Sequence, residues 1–324
     1  MTVRASLTNL AGSRRRLVGV VAGVPLAAIG LYAFIYGVFP TLYEAFWGAT
    51  CSAVGSWLVC SGFLQRGFTT GLLIGIAAPI VGTYLVNRQM ALIGEALAHT
   101  AFAGVAIGIF LGSFVEWGSF PLFTALVVAA IAALGIQYIS VHTDSHADVP
   151  IAIMLTGGFA LGIAVVSYGI AFGREINSYL FGDILFVPFG NVQLMVGLTL
   201  AVLGMVGLTH KQLLFITFDR EAARLARIDV WFYDTLLIVL TALVIVAAMQ
   251  ILGAILVAAM LVVPVAGAMQ LTNSFTQGMA LSVVFGELSV IFGILFSYQW
   301  SIATGATIVL TAIAIYLVAL LVSR

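Results

Sequence analysis

Charge is what this 324-residue chain has least of: only 7% of its residues are Asp, Glu, Lys or Arg, against 63% hydrophobic, with mean hydropathy +1.20. A soluble domain carries about a quarter charged residues, so a water-soluble fold is excluded and a polytopic membrane protein is what fits. Basic and acidic residues balance at twelve each, and Lys211 is the single lysine, so no basic surface points to nucleic acid. Cysteine is almost absent, and Cys51 and Cys60 match no zinc-ligand spacing. Hydrolase and phosphate-binding signatures are missing altogether: there is no GxxxxGK[ST], no HExxH and no GxSxG. The chain is therefore read as no enzyme, and an ATPase that energised it would be another polypeptide. A cleavable leader is not expected either, because no small-residue cleavage site follows the apolar run after Arg14, Arg15 and Arg16.

What the chain does have is apolar runs of about 20 residues, each long enough to cross the hydrocarbon core. Ten are expected, at roughly 17–39, 68–86, 91–112, 120–141, 150–171, 188–209, 232–249, 252–270, 278–298 and 303–322. With the N-terminus in the cytoplasm, Arg4, Arg14, Arg15, Arg16, Arg88, Lys211, Arg220, Arg224, Arg227 and Arg324 all fall inside, and only Arg66 and Arg174 outside. The positive-inside rule then puts both termini in the cytoplasm of a plasma-membrane protein. An eleventh span at 45–64 would invert every later loop, so that apolar segment is placed outside, lying on the surface or dipping in. There Cys51 and Cys60 either pair as a disulfide or pack as two small hydrophobes. Glycines at 71–75 and 104–108 fit close helix packing, and Pro79, Pro264 and Gln250 fit kinked or interrupted helices.

With Asp144, Asp148, Asp219, Glu221, Asp229 and Asp234 placed inside or at the inner edge, only two acids remain deep within the spans, Glu95 and Glu287. A charge at the bilayer centre costs roughly 2.5–3.5 kcal/mol on insertion scales, so such residues face a polar pathway or a partner. Glu95 lies four residues before His99, on the same helix face. Carboxylate and imidazole suit zinc or manganese; a Glu–His hydrogen bond that orders packing is the plainer reading. Glu287 is read as a third ligand or gate carboxylate at a depth similar to His99, near the midplane, or else as a protonated acid bonded to a neighbouring helix. The HTDSHAD stretch, with His142, Asp144, His146 and Asp148, is a solvated loop or a cytoplasmic release site, and His210 is an interfacial anchor. Residues 217–230 form the only long polar segment between spans. Asp219 can cap a short helix there, with Glu221, Arg224 and Arg227 exposed and Ala222, Leu225 and Ala226 on the other side. Such a helix either docks a motor subunit or lies on the surface.

Several segments resemble one family, the membrane permeases of zinc, manganese and iron ABC importers. GEALAHTAFAGVAIGIFLG (94–112) is similar to that family's Gly-Asp-x-Leu-x-His helix. YLFGDILFV (179–187) is similar to its Tyr-Leu-Phe-Gly-Asp segment. ILGAILVAAMLVVPVAGA (251–268) and ATGATIVLTAIAIYL (303–317) resemble its Val-Gly-x-x-Leu…Pro-Ala helix and its terminal helix. The resemblance covers 66–322 in consistent order and implies an all-α fold of the type II ABC importer permease kind, with about ten transmembrane helices. Residues 1–65 would be an N-terminal extension and 66–324 the permease domain. It makes His99 the metal-pathway histidine and places Glu95 where aspartate is usual. Residues 219–229 become the coupling helix. The implied partners are two cytoplasmic ABC ATPases, which bind the ATP, a second permease copy, and an extracellular metal-binding protein. That protein would deliver zinc or manganese, less readily iron, near Glu116, Glu175 and Asp183. Two rival readings are a proton-coupled secondary transporter with Glu95 and Glu287 as relay, and an intramembrane metalloenzyme using His99, His142 or His146.

Overall fold

The computed structural model describes residues 31–55, 60–112, 121–142, 148–168, 179–180, 182 and 187–323. It divides into two compact units, Met1–Cys60 and Ser61–Arg324. Among the described residues every regular element is helical.

In the first unit, helix runs without a break from residue 31 through a π-helical turn, Phe34–Val38, into α1, Phe39–Val54. The sequence reading stops a span at 39, just before Pro40. The π turn, closed by the Phe39 N–H on the Phe34 carbonyl, carries the helix past the proline, which occupies the first turn where no N–H is needed. Tyr43 and Trp47 follow Phe39 at helical spacing, ring against ring, and the helix ends at Gly55 in the left-handed region (φ 63°). Cys51 and Cys60 are bonded to each other.

The second unit holds α2 (Gly62–Asn87), α3 (Ile93–Gly112), α4 (Pro121–His142), α5 (Asp148–Tyr168), α6 (Phe189–Phe218), a short α7 (Arg220–Leu225), α8 (Val230–Leu252), α9 (Ala254–Leu271), α10 (Phe275–Trp300) and α11 (Thr304–Val322). Eight of these are long and apolar enough to cross a membrane, and α9 is a shorter apolar helix. Together they take up the nine spans expected from 68 onward. The expected span at 17–39 lies mostly outside the described residues.

Burial sorts the helices. The most apolar windows of α3 and α2 are 72% and 67% buried, whereas that of α5 is 17% buried. The centre is therefore α8 and α9, each packed on both α2 and α3, with α4 and α5 against α3, α6 against α2 and α8, and α10 and α11 paired over α2 and α9. Small residues allow the close approaches. A Cβ on Gly82 would stand 1.9 Å from the Leu261 carbonyl oxygen, and one on Gly104 would stand 2.5 Å from the Ala125 Cα. A Cβ on Gly158 of α5 would stand 2.5 Å from the Thr100 Cγ2 of α3. Helices meet in membranes through such small faces, since lipid supplies no hydrophobic drive to bring them together.

Among the boundaries that differ from the sequence reading, two have a clear local cause. The fifth expected span in this unit, 188–209, is the first two thirds of a 30-residue helix, because nothing at His210 or Lys211 stops it and α6 runs on to Phe218. The interruption anticipated at Gln250 falls at Gly253, whose φ of 89° and ψ of 148° only glycine adopts readily. Gly182, also at positive φ (75°), sits against this break, its absent Cβ 2.4 Å from the Ile251 carbonyl oxygen. Pro79 and Pro264, by contrast, lie inside α2 and α9 and leave both continuous.

Candidate metal pathway and its cytoplasmic coupling end

The turn between α2 and α3 spans only Arg88 to Leu92, with Gln89 left-handed (φ 59°) and tied by Met90 N–H to the Leu85 carbonyl. It delivers α3 with Glu95 in its first turn, where the positive end of the helix dipole favours a carboxylate. His99 follows one turn later. Its Nε2 lies 4.0 Å from Glu95 Oε1, too far for a hydrogen bond. It is close to the roughly 3–4 Å that separates two ligands on one ion at bond lengths of about 2.1 Å. The His99 ring sits edge-on to Phe159 of α5, centroids 5.0 Å apart, and its Nδ1 is buried without a hydrogen-bond partner. Glu95 is 51% exposed, so the pair opens at the surface of the single chain.

Glu287 is elsewhere. It projects from α10 onto α2 at Gly75, where any side chain would meet Glu287 Oε1 at 2.9 Å. That oxygen is also buried and unpartnered. Among the described residues no three His, Cys, Asp or Glu side chains form a group able to hold a metal, so Glu95, His99 and Glu287 do not meet in this chain. Depths along the helices differ too. His99 is six residues, about 9 Å, from the start of α3, while Glu287 is twelve residues, about 18 Å, into α10. The difference arises because α3 starts at Ile93, after the tight turn, and α10 starts three residues early at a Ser274 cap. Glu116, Glu175, Asp183, Asp144 and His146 lie outside the described residues, as do the side chains of His142 and Asp148.

The polar segment at 217–230 folds as a six-residue helix between two caps. Asp219 accepts from the Ala222 N–H at 2.8 Å and Asp229 from the Phe232 N–H at 3.1 Å, each satisfying a donor at a helix start. Glu221 and Arg224 are exposed as expected, and Arg227 takes a left-handed turn conformation (φ 58°). The inward side is not the one read from sequence. Ala223 is buried in a cluster with Ile216 and Val230, while Leu225 is 85% exposed. The Asp219 cap and the Ile228 N–H on the Ala223 carbonyl hold both ends, and that leaves Ala223 facing in.

Beneath α7 lies an arrangement that sequence reasoning missed. Arg88 and Asp234 form a salt bridge at 2.7 Å with side chains only 8% and 6% exposed. Arg88 also donates through Nε to Thr217 Oγ1 (2.9 Å) and through its other terminal nitrogen to the Leu213 carbonyl (3.1 Å). The second Asp234 oxygen accepts from Arg220, the first residue of α7. Burial pulls the Arg88 guanidinium below its ordinary value; Asp234 opposes that and Arg220 adds to it. Nearby, the buried Tyr84 hydroxyl meets His210 Nδ1 at 2.6 Å, so His210 is a packed partner rather than a free anchor. The available signal was Asp234, an acid inside the first turns of an apolar helix, which at inner-edge depth reads as solvated.

Residues 60–323 match the model of the ABC 3 transport family. The chain is 36% identical over 262 residues to the manganese transport system membrane protein MntC of Halalkalibacterium halodurans, covering 81% of this chain and 88% of that one. It is 33% identical over 261 residues to the manganese import system permease protein ScaB of Streptococcus gordonii, covering 81% and 91%. Among solved structures it resembles PsaBC from Streptococcus pneumoniae in complex with Fab, with TM-score 0.72, 35% identity and coverage of 81% and 92%. With nine apolar helices among the described residues of the matched region and a family model spanning most of its length, this chain belongs to the ABC 3 transport family.

Proposed function

We propose that this chain is the membrane-spanning permease of an ATP-driven importer for a divalent transition metal, with manganese as the first candidate cargo and zinc the second. The observation that carries the reading is the Glu95–His99 pair: one carboxylate and one imidazole a helical turn apart, at ligand-like separation, in a chain similar to permeases named for manganese transport. Mixed oxygen and nitrogen donors suit both metals, and the relatives' names tip the choice towards manganese. Two ligands do not complete a coordination sphere. The exposure of Glu95 leaves room for donors from a second permease copy or from the cargo's own water, and Glu287 stands as a separate carboxylate farther along the path. Separate ATPase subunits, two in number, supply the energy and dock against α7, with the exposed Leu225, Glu221 and Arg224 as contact points. An extracellular binding protein delivers the ion near Glu116, Glu175 and Asp183. The Arg88, Arg220, Arg224 and Arg227 end is cytoplasmic.

The test is radiolabelled manganese and zinc uptake into proteoliposomes holding the chain with its cognate ATPase, the binding protein outside and ATP inside. ATP-dependent accumulation that falls at least tenfold in the Glu95→Ala/His99→Ala double variant is the expected result. Uptake that ignores ATP and follows a pH gradient would overturn the ATP-driven reading.

A further inference from the structure

From the two ion pairs on Asp234 we infer that Arg88, Asp234 and Arg220 form a rigid strut that transmits movement of α7 to the start of α3, and so to the Glu95–His99 pair. The inference rests on the importer reading for what α7 docks with; the strut itself rests on geometry.

Each end of the strut is fixed. Asp234 spends one oxygen on each arginine, and its side chain is almost wholly out of solvent. Arg88 commits Nε and both terminal nitrogens, to Thr217, Asp234 and the Leu213 carbonyl, so its planar fork is held by α6 and α8 together. A buried guanidinium cannot let go of Asp234 without leaving a charge unpaired, nor of the other two without leaving a buried donor unsatisfied. When the ends of α6 and α8 shift, Arg88 must go with them. Arg220 ties the first residue of α7 to the same carboxylate, next to the Asp219 cap. On the other side, Arg88 is the residue that ends α2. Five residues later α3 begins, through a turn in which Met90, Ile93 and Ala96 all donate to carbonyls within it or just before it. A turn so fully bonded has no slack to absorb displacement. Seven residues separate Arg88 from Glu95, so the strut meets the pair's own helix at its root. Coupling carried this way needs an element that both ends bias, and the α2–α3 turn is that element.

The test uses the full chain with its ATPase and a reporter that needs no metal. Leu92, exposed in the turn, becomes a single reactive thiol as Leu92→Cys, since Cys51 and Cys60 are bonded to each other. Its rate of maleimide labelling is measured with and without a non-hydrolysable ATP analogue. The expected result is a nucleotide-dependent rate change of at least threefold with the native strut. It is abolished in Arg220→Ala and Asp234→Asn, and restored in Arg220→Lys. In proteoliposomes, Arg220→Ala is expected to keep ATP hydrolysis and equilibrium manganese binding within twofold of wild type while metal moved per ATP falls at least fivefold. Arg220 is more than half exposed, so its truncation leaves the buried Arg88–Asp234 pair intact and the fold with it. The same nucleotide response in Arg220→Ala and Asp234→Asn as in the native strut would overturn the inference, as would a parallel loss of hydrolysis and transport with lowered folded yield. Failure of the wild-type chain to move either metal would sink the importer reading alone, because the labelling response reads the strut directly.

Discussion

Gly82 shows how much a single hydrogen atom in place of a methyl group can decide. The Leu261 backbone passes where its Cβ would be, with the nearest carbonyl oxygen at 1.9 Å, and a helix backbone cannot move aside as a flexible side chain can. Gly82→Ala is therefore expected to destabilise by about 1–3 kcal/mol or more, the usual cost of overpacking. Gly207 on α6 meets nothing within 4 Å, so Gly207→Ala should be neutral or gain about 0.5–1 kcal/mol from the helix interior. Thermal unfolding of the two variants in detergent checks this; equal midpoints would remove the α2–α9 contact from the account. At this scale the sequence was only partly legible. Glu95 and His99 stand out by rarity, because an acid and an imidazole in an apolar run need a reason. Arg88 and Asp234 do not, because their pairing crosses 146 residues and each alone reads as an inner-edge charge.

Among the elements, α7 is the most precariously built. Six residues cannot sustain a helix on propensity, since nucleation is costly and isolated short helices are marginal in water. What holds α7 is the Asp219 cap, the buried Ala223 and the Arg220 bridge. Asp219→Ala should cost about 1 kcal/mol, and amide exchange at 222–226 should speed by about fivefold while α8, capped separately by Asp229, stays protected. Hydrogen exchange with peptide resolution measures both; unchanged exchange at 222–226 would assign the stability of α7 to packing alone. Existence of this helix was readable from Asp219 and the charge pattern, but its inward side was not. A helix of less than two turns has too few positions for periodicity to choose a face, and the end contacts made the choice instead. The long spans were easier. Their hydrophobic runs exceed any packing subtlety, and the error at α6 arose only because an apolar helix that continues past the membrane surface carries no stop signal at His210.

On the scale of the molecule, the matched family region begins at residue 60 and the compact second unit at Ser61, and on that ground we propose that the residues before them are an addition to the permease body. The expectation of a separate N-terminal extension came from where the resemblance ran out, which a sequence can mark without saying what the extension does. The larger body carries one feature with a bearing on how it is made. End to end, α8 and α9 would measure about 62 Å, roughly twice the hydrocarbon core, yet a single glycine joins them. The chain must turn back at Gly253, with no loop to wait in water while the second helix emerges from the ribosome. The two helices are therefore expected to enter the lipid together, as a hairpin. One residue inserted after Gly253 would rotate α9 by about 100° against α2 and α10. Expected outcomes are a collapse in membrane-integrated yield and protease accessibility at α9, read by in-cell insertion assays. The same insertion after Thr272, in the extended link before α10, should be tolerated. The connection at Thr272 is thus expected to accept added length, while the one at Gly253 is expected to refuse it.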